Sequence, residues 1–178
     1  MGIATDLGYR IRPPNGFQHR LQYFGATRVG AWLFSKTLRH ADDVVQRLTS
    51  GRHSVPEVLA GLPVIDITTT GRKSGKRRRT HLIAVPLGDD LAVLGTNFGQ
   101  PATPAWALNL EADPHVTVTY RECVAKAVAR PATAAEEAEV WARSAAVYGG
   151  YAKYRQRIAS RRPVRVFVLE PGRPVTPV

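Results

Sequence analysis

The chain reads as an α+β protein built on a small antiparallel β-barrel of about six strands, with helices inserted between the hairpins. Three observations predict this class. The stretch from Pro63 to Leu169 contains six short runs with strand character, most of them paired across tight turns. No regular strand–helix–strand alternation and no Gly-x-Gly-x-x-Gly occurs, which counts against a dinucleotide-binding sheet. The length of 178 residues, with 44% hydrophobic and 22% charged residues, suits one folded domain with a real core.

Residues 1–62 read as a helical and irregular segment, and 63–178 as the barrel. In the first part, Phe24 to His40 has helical character. Asp42 is placed to cap Asp43–Leu48, with Gly51 just past its end. Ser54 and Glu57 have capping-box spacing. From Pro63 the texture changes. Val64–Thr70 and Arg78–Leu87 read as strands, Gly88-Asp89-Asp90 as a turn, and Leu91–Thr96 as the returning arm. Asn97–Pro101 is a loop. A short helix follows, with Thr103 as its expected cap, Pro104 in its first turn, and Asp113-Pro114 as its stop. Val116–Tyr120 and Cys123–Arg130 form a second hairpin about Arg121-Glu122. Thr133 and Glu136 make a capping box for an alanine-rich helix through Val147. Gly149-Gly150 interrupts it, and Tyr151–Ala159 resumes it. Val164–Leu169 is the last strand, and the Pro/Gly-rich end after Glu170 is a loose tail.

Lys and Arg outnumber Asp and Glu by 25 to 14, a net charge of +11 that favours an anionic partner: a phosphorylated cofactor, nucleic acid or a membrane face. The single cysteine, Cys123, reads as a small packed thiol rather than a nucleophile, and a reducing cytoplasm is the expected compartment. No stretch reaches the roughly 18 apolar residues that a membrane span needs. Arg10, Arg12, Pro13 and Pro14 break the N-terminus before any signal-peptide core. The 24–40 segment interleaves Phe24, Trp32 and Phe34 with Arg28, Lys36 and Arg39. Such a helix either lies peripherally on the inner, anionic face of the cell membrane or packs on the domain.

The most informative stretch is Thr68-Thr69-Thr70-Gly71-Arg72-Lys73-Ser74-Gly75-Lys76-Arg77-Arg78-Arg79. Strands on both sides hold this basic run, unlike a solvated tail. Gly71 and Gly75 let the backbone turn sharply, while Arg72, Lys73, Ser74 and Arg78 offer donors to phosphate or carboxylate oxygens. A nucleic-acid-binding module whose Lys76–Arg79 run tracks phosphates is an alternative reading. Against it, the run does not alternate with aromatic residues as a stacking platform would, so no nucleic-acid partner is expected.

Two further constellations accompany the turn. Trp106, at the start of the helix after the Asn97-Phe98-Gly99 loop, either walls a planar heterocycle or is core. Asn109 is read as a tie between loops. Tyr148, Tyr151 and Tyr154, spaced by three, either line a ring-binding pocket or form a packed aromatic face. The five histidines are scattered, no metal-ligand spacing is present, and His81 reads as structural. An anion cradle with planar-ring contacts and no acid–base set fits a redox enzyme whose cofactor carries the chemistry.

On these residues the sequence resembles the deazaflavin-dependent nitroreductase family. Thr-Thr-Thr-Gly-Arg-Lys-Ser-Gly at 68–75 and Arg78 carry the likeness. So do Pro104-x-Trp106-x-x-Asn109-Leu110, Asp113-Pro114, and the tyrosine stripe. The resemblance covers residues 63 to 170 and implies a split β-barrel reductase using coenzyme F-420, an 8-hydroxy-5-deazaflavin. It implies that Arg72, Lys73, Ser74 and Arg78 bind the coenzyme's anionic tail. Thr96, Asn97 and Gly99 would hold the ring, with Trp106 nearby. Tyr148, Tyr151, Tyr154 and Ile83 would face the substrate, with Tyr148 or Tyr151 as the hydrogen-bond or proton donor. The implied acceptor is quinone-like, nitroaromatic or an activated alkene. Thr96-Asn97-Phe98-Gly99 departs from the family's Ser-Lys-Gly-Gly, and Ile83 stands where nitroreductases carry a tyrosine. FMN is the alternative cofactor, because related split barrels bind it.

Overall fold

The computed structural model describes residues 2–11, 16–25, 27, 62 and 64–172. Six strands close into a barrel in the order β1-β2-β3-β6-β5-β4, with every neighbouring pair antiparallel. They are β1 (Val64–Thr70), β2 (Arg77–Leu87), β3 (Asp90–Leu94), β4 (His115–Tyr120), β5 (Cys123–Pro131) and β6 (Val166–Pro171). The expected α+β barrel is borne out. Local hairpins supply β1–β2, β2–β3 and β4–β5, whereas β3–β6 and β1–β4 pair across long stretches of chain.

Turn chemistry explains the hairpins. Leu87 pairs with Asp90 around Gly88, whose φ of 59° suits a two-residue hairpin turn. Tyr120 pairs with Cys123 around Arg121, which takes φ 55° without glycine's freedom. Cys123 therefore starts a strand at a hairpin tip and is exposed, which corrects the packed-thiol expectation. The last strand begins later than expected and runs on to Pro171, because β5 offers partners down to Ala127.

Period-two alternation sorts the strand side chains into two cores. Ile65 and Ile67 of β1 face inward with Val116, Val118, Tyr120, Phe167 and Leu169. On the other side of the sheet, Val64, Val85, Ala92 and Leu94 lie under Val140, Trp141 and Val147 of α4 (Ala134–Val147) and Tyr151 and Tyr154 of α5 (Gly150–Ile158). Fully buried side chains such as Ile65, Val85 and Phe167 each contribute about 1.5–3 kcal/mol of transfer free energy. The α4 start has the predicted capping box. Glu136 N–H donates to Thr133 Oγ1 at 3.3 Å, and Thr133 N–H donates to Glu136 Oε2 at 2.8 Å.

The first described residues pack into the barrel. Ile3 of α1 (Ile3–Asp6), Leu7 and Tyr9 join its inner core, and Tyr9 Oη donates to the Ala84 carbonyl at 2.8 Å. A helix α2 spans Gly16–Gly25, with Phe24 in its last turn, and Thr27 Oγ1 donates to the Phe24 carbonyl. The Asp42 and Ser54/Glu57 caps, and most of 24–40, lie outside the described residues. The helix α3 (Ala105–Ala112) is capped by Pro104 rather than Thr103. The Pro104 carbonyl accepts from Ala107 and Leu108, and its extended ψ of 144° puts it just before the first turn.

Candidate functional site: a basic turn, a left-handed loop and a tyrosine cluster

The β1–β2 connection is a tight turn built on glycine. Gly71 N–H donates to the Lys76 carbonyl at 2.8 Å, and the Gly71 carbonyl accepts from Ser74 and Gly75 at 3.1 and 2.7 Å. A Cβ on Gly71 would sit 2.9 Å from Ser74 Oγ and 3.1 Å from the Lys76 carbonyl, so no other residue fits there unstrained. Gly75 takes φ 66°. Asn109, on α3, fastens this turn to the barrel. Its Oδ1 accepts from Arg72 N–H at 3.1 Å and its Nδ2 donates to Thr69 Oγ1 at 3.0 Å.

Every side chain from Arg72 to Arg79 is exposed, but they are not equivalent. Arg79 pairs with Asp66, and Arg77 Nη2 donates to Thr117 Oγ1 at 3.0 Å. Arg72, Lys73, Lys76 and Arg78 have no carboxylate partner among the described residues. Arg78 stands opposite Thr69, so it faces away from Arg77 and Arg79, which stand opposite Thr70 and Thr68. The cations left for an external anion are thus those of the turn itself plus Arg78. Asp66 also pairs with His81, which supports a structural role for that histidine. Burial pushes the Asp66 carboxyl up, but hydrogen bonds and charge from His81 and Arg79 outweigh it and hold the group below its usual range.

Between β3 and α3 the chain makes a short helical turn over Asn97–Gly99. Asn97, Phe98 and Gly99 all take left-handed φ, at 48°, 55° and 76°. The Asn97 side chain donates to the Ala102 carbonyl at 2.9 Å, and Thr96 is buried. Trp106, expected near a ring, lies in the barrel core with its indole 6.1 Å from the Phe167 ring.

The three tyrosines do meet, although they do not share a helix. Tyr148 ends α4, while Tyr151 and Tyr154 belong to α5. Tyr148 Oη and Tyr154 Oη lie 3.1 Å apart, and Tyr151 Oη donates to the Ile83 carbonyl at 2.9 Å. The Tyr148 ring rests directly on Gly150, where a Cβ would come within 2.3 Å of it. Phe98 joins the cluster edge-on to Tyr154 at 6.3 Å. Burial raises all three phenol pKa values, so the hydroxyls stay protonated through the neutral range. The fold therefore brings Ile83, Phe98, Tyr148, Tyr151 and Tyr154 together, and gathers Arg72, Lys73, Ser74 and Arg78 at the turn. Sequence reading missed Arg162, which donates to the carbonyls of Gly95, Thr96 and Gln100 from beyond α5. Only its place in an Arg-Arg-Pro run distinguishes it in the sequence.

A closed antiparallel barrel with a basic glycine turn at one end and an aromatic cluster on its outer face defines a split-barrel fold. Within it, the chain belongs to the F420H(2)-dependent quinone reductase family, whose model matches residues 37–171. The resemblance read from residues 68 to 154 is borne out at that level. A curated relative, described as an F420H(2)-dependent quinone reductase of Mycobacterium tuberculosis, is 33% identical over 78 residues, covering 43% of this chain. The matched stretch spans 50% of that relative's length. A solved structure described as an F420-H2 dependent reductase is similar at TM-score 0.55 and 32% identity, over 61% of this chain and 94% of its own. Another, described as a domain-swapped dimer, is similar at TM-score 0.57 and 30% identity, over 79% of this chain and 98% of its own.

Proposed function

We propose that this protein is a reductase that uses the reduced deazaflavin coenzyme F-420 to transfer hydride to a quinone-type acceptor. The observation that carries the reading is the glycine turn at 71–75, fastened by Asn109 and bearing cations with no carboxylate partner among the described residues. That donor set fits the phosphate and carboxylates of an anionic tail.

The geometry also suits an elongated ligand. Antiparallel order puts the 71–76 turn and the 95–100 loop at the same end of the barrel. The loop lies level with Ile83, so about six residues of β2, or ~20 Å at ~3.3 Å each, separate it from the turn. A molecule with a ring at one end and anions at the other would span the two. When bound, the deazaflavin supplies the hydride. Arg72, Lys73, Ser74 and Arg78 hold the tail, and Thr96, Asn97 and Gly99 hold the ring edge. The packed tyrosines exclude water from the face where an acceptor stacks.

The tyrosines divide by their hydrogen bonds. Tyr151 already donates to Ile83, whereas Tyr148 can accept from Tyr154 and turn its own proton to an oxygen gaining charge. Tyr148 is the better candidate for that donor. Nitroaromatics and activated alkenes belong to the same reading as acceptors. A peripheral contact of residues 24–40 with an anionic membrane is a separable part of it, motivated by Tyr23 and Phe24, which are 69% and 41% exposed. Flotation with anionic vesicles tests that contact.

Mixing the protein with reduced coenzyme and menadione and following coenzyme absorbance tests the activity. Tight coenzyme binding without turnover on any quinone, nitro compound or enone would leave a carrier, not an enzyme. Lys73→Ala and Arg78→Ala should each weaken coenzyme binding about fivefold at low salt, near 1 kcal/mol for an exposed charge contact. Unchanged affinity in both would remove the turn from the site.

A further inference from the structure

We propose that Arg162 is the positioning residue for the ring-binding end of the coenzyme site, acting through the 95–100 loop without touching the ring. The inference rests on the reductase reading above and names the device that shapes its loop.

The loop needs such a device. Three successive left-handed residues are uncommon, and two of them, Asn97 and Phe98, lack glycine's freedom. Strained backbone persists only where its surroundings over-determine it. Arg162 grips the loop at both ends. Its Nη1 donates to the Gly95 carbonyl at 3.0 Å, and its Nη2 donates to the Thr96 and Gln100 carbonyls at 3.2 and 3.3 Å. The Gly95 N–H donates in turn to the Arg165 carbonyl at 2.8 Å, so the segment after α5 holds the loop by donor and acceptor alike.

The planar fork of a guanidinium can bridge carbonyls that face it from several directions; an ammonium on a flexible stem cannot hold that set. The consequence reaches the ligand side through peptide geometry. The Thr96 carbonyl points at Arg162, so the trans peptide sends the Asn97 N–H to the opposite side. Phe98 lies between the gripped ends of the loop, and its ring sits edge-on to Tyr154. Gly99 lies against the Arg157 side chain, where a Cβ would meet Cδ at 3.1 Å. One cation thereby sets both the backbone offered to the ring and the wall beside the tyrosines. Arg162 Nε is buried with no hydrogen-bond partner among the described residues, a cost the fold carries to keep the fork in place.

The test separates ring from tail. Wild type, Arg162→Met, Arg162→Lys and Lys73→Ala are titrated by fluorescence with oxidised coenzyme F-420 and with its tail-less deazaflavin riboside. Arg162→Met should raise the dissociation constant for both ligands at least tenfold and leave their ratio, which reads the tail, unchanged. Arg162→Lys should recover part of the loss. Lys73→Ala should do the reverse, changing the ratio and sparing the riboside. If Arg162→Met does not fold, the lysine variant carries the test, with at least a threefold loss of riboside affinity expected. Wild-type affinity for the riboside in the folded variants, or a loss confined to the tailed coenzyme, overturns the assignment. A wild type that binds neither ligand overturns the reductase reading and this inference with it; a wild type that binds both, beside indifferent Arg162 variants, overturns this inference alone.

Discussion

Asn109→Leu replaces a buried amide with an apolar side chain of similar size, and the structure sets the cost. Asn109 is 6% exposed and spends its amide on two partners, the Arg72 N–H at 3.1 Å and the Thr69 hydroxyl at 3.0 Å. Each such bond contributes about 1 kcal/mol net. Thr69 is fully buried and keeps only a long contact to the Arg78 carbonyl, whereas Arg72 N–H, in an exposed turn, can turn to water. Leucine regains some apolar burial, so the net loss is about 1–2 kcal/mol, and at ~2–4 °C per kcal/mol for a domain of this size the melting temperature falls by about 2–8 °C. Urea denaturation reads the stability, with the midpoint falling and the slope unchanged. A second consequence concerns the site. If Asn109 holds the turn in its anion-binding shape, its variant and Lys73→Ala disable the same contact, and their losses in coenzyme affinity should sum to more than the double variant shows. An unchanged urea midpoint would refute the stability argument. Strict additivity in the double variant would refute the positioning argument even if the midpoint fell.

Other perturbations test the remaining parts. Glu136, gripped by Arg130 at 2.6 and 2.7 Å and by Thr133 N–H, has its pKa depressed to about 2. Its contribution is complete above the ordinary glutamate value of 4.5 and is lost as pH falls toward about 2, so Glu136→Gln should flatten the acid limb of a stability–pH profile in that window. An identical limb in the variant would contradict the assignment. Gly150→Ala drives a Cβ into the Tyr148 ring and should cost about 1–3 kcal/mol by overpacking, read as a lower urea midpoint with an altered near-UV tyrosine signal. A wild-type spectrum and midpoint would mean that the ring does not rest there. Tyr148→Phe should lower quinone turnover more than Tyr151→Phe, because the Tyr151 hydroxyl is committed to Ile83. The opposite order in steady-state kcat would assign the donor to Tyr151.

Local chemistry explains which elements were legible in the sequence. Gly88, Gly75 and the Thr133/Glu136 box carry their geometry within a few residues, so the hairpins and the α4 start could be read directly. The basic turn was legible for the same reason, since its donors are contiguous. What escaped depends on partners far along the chain. Ile3 and Tyr9 enter the barrel core through contacts to β2 and to the β2–β3 turn, which no local pattern of theirs announces. Trp106 satisfied two readings until the barrel interior claimed it. Tyr148 shares the stripe's spacing but lies in another element, because Gly149-Gly150 ends one helix and starts the next. Arg162 carries no local mark of what it holds, since its carbonyl partners lie 62 to 67 residues earlier.

The relation between the two ends of the proposed site was nonetheless available from parity alone. Hairpin neighbours reverse direction at each turn, so the connection after the first strand and the connection after the third must leave by the same end of a barrel. The first bears the cations and the third bears the left-handed loop. Strand length then separates them: β2 has 11 residues and β3 only 5, so the loop emerges part-way down β2, level with Ile83. Deleting Arg77 and Arg78 from the start of β2, which preserves alternation, should remove one tail cation and draw the turn about 7 Å toward the loop. Binding of the tail-less riboside would survive that deletion while the tail's contribution fell. Equal losses for both ligands would show that turn and loop do not act as separate ends of one site.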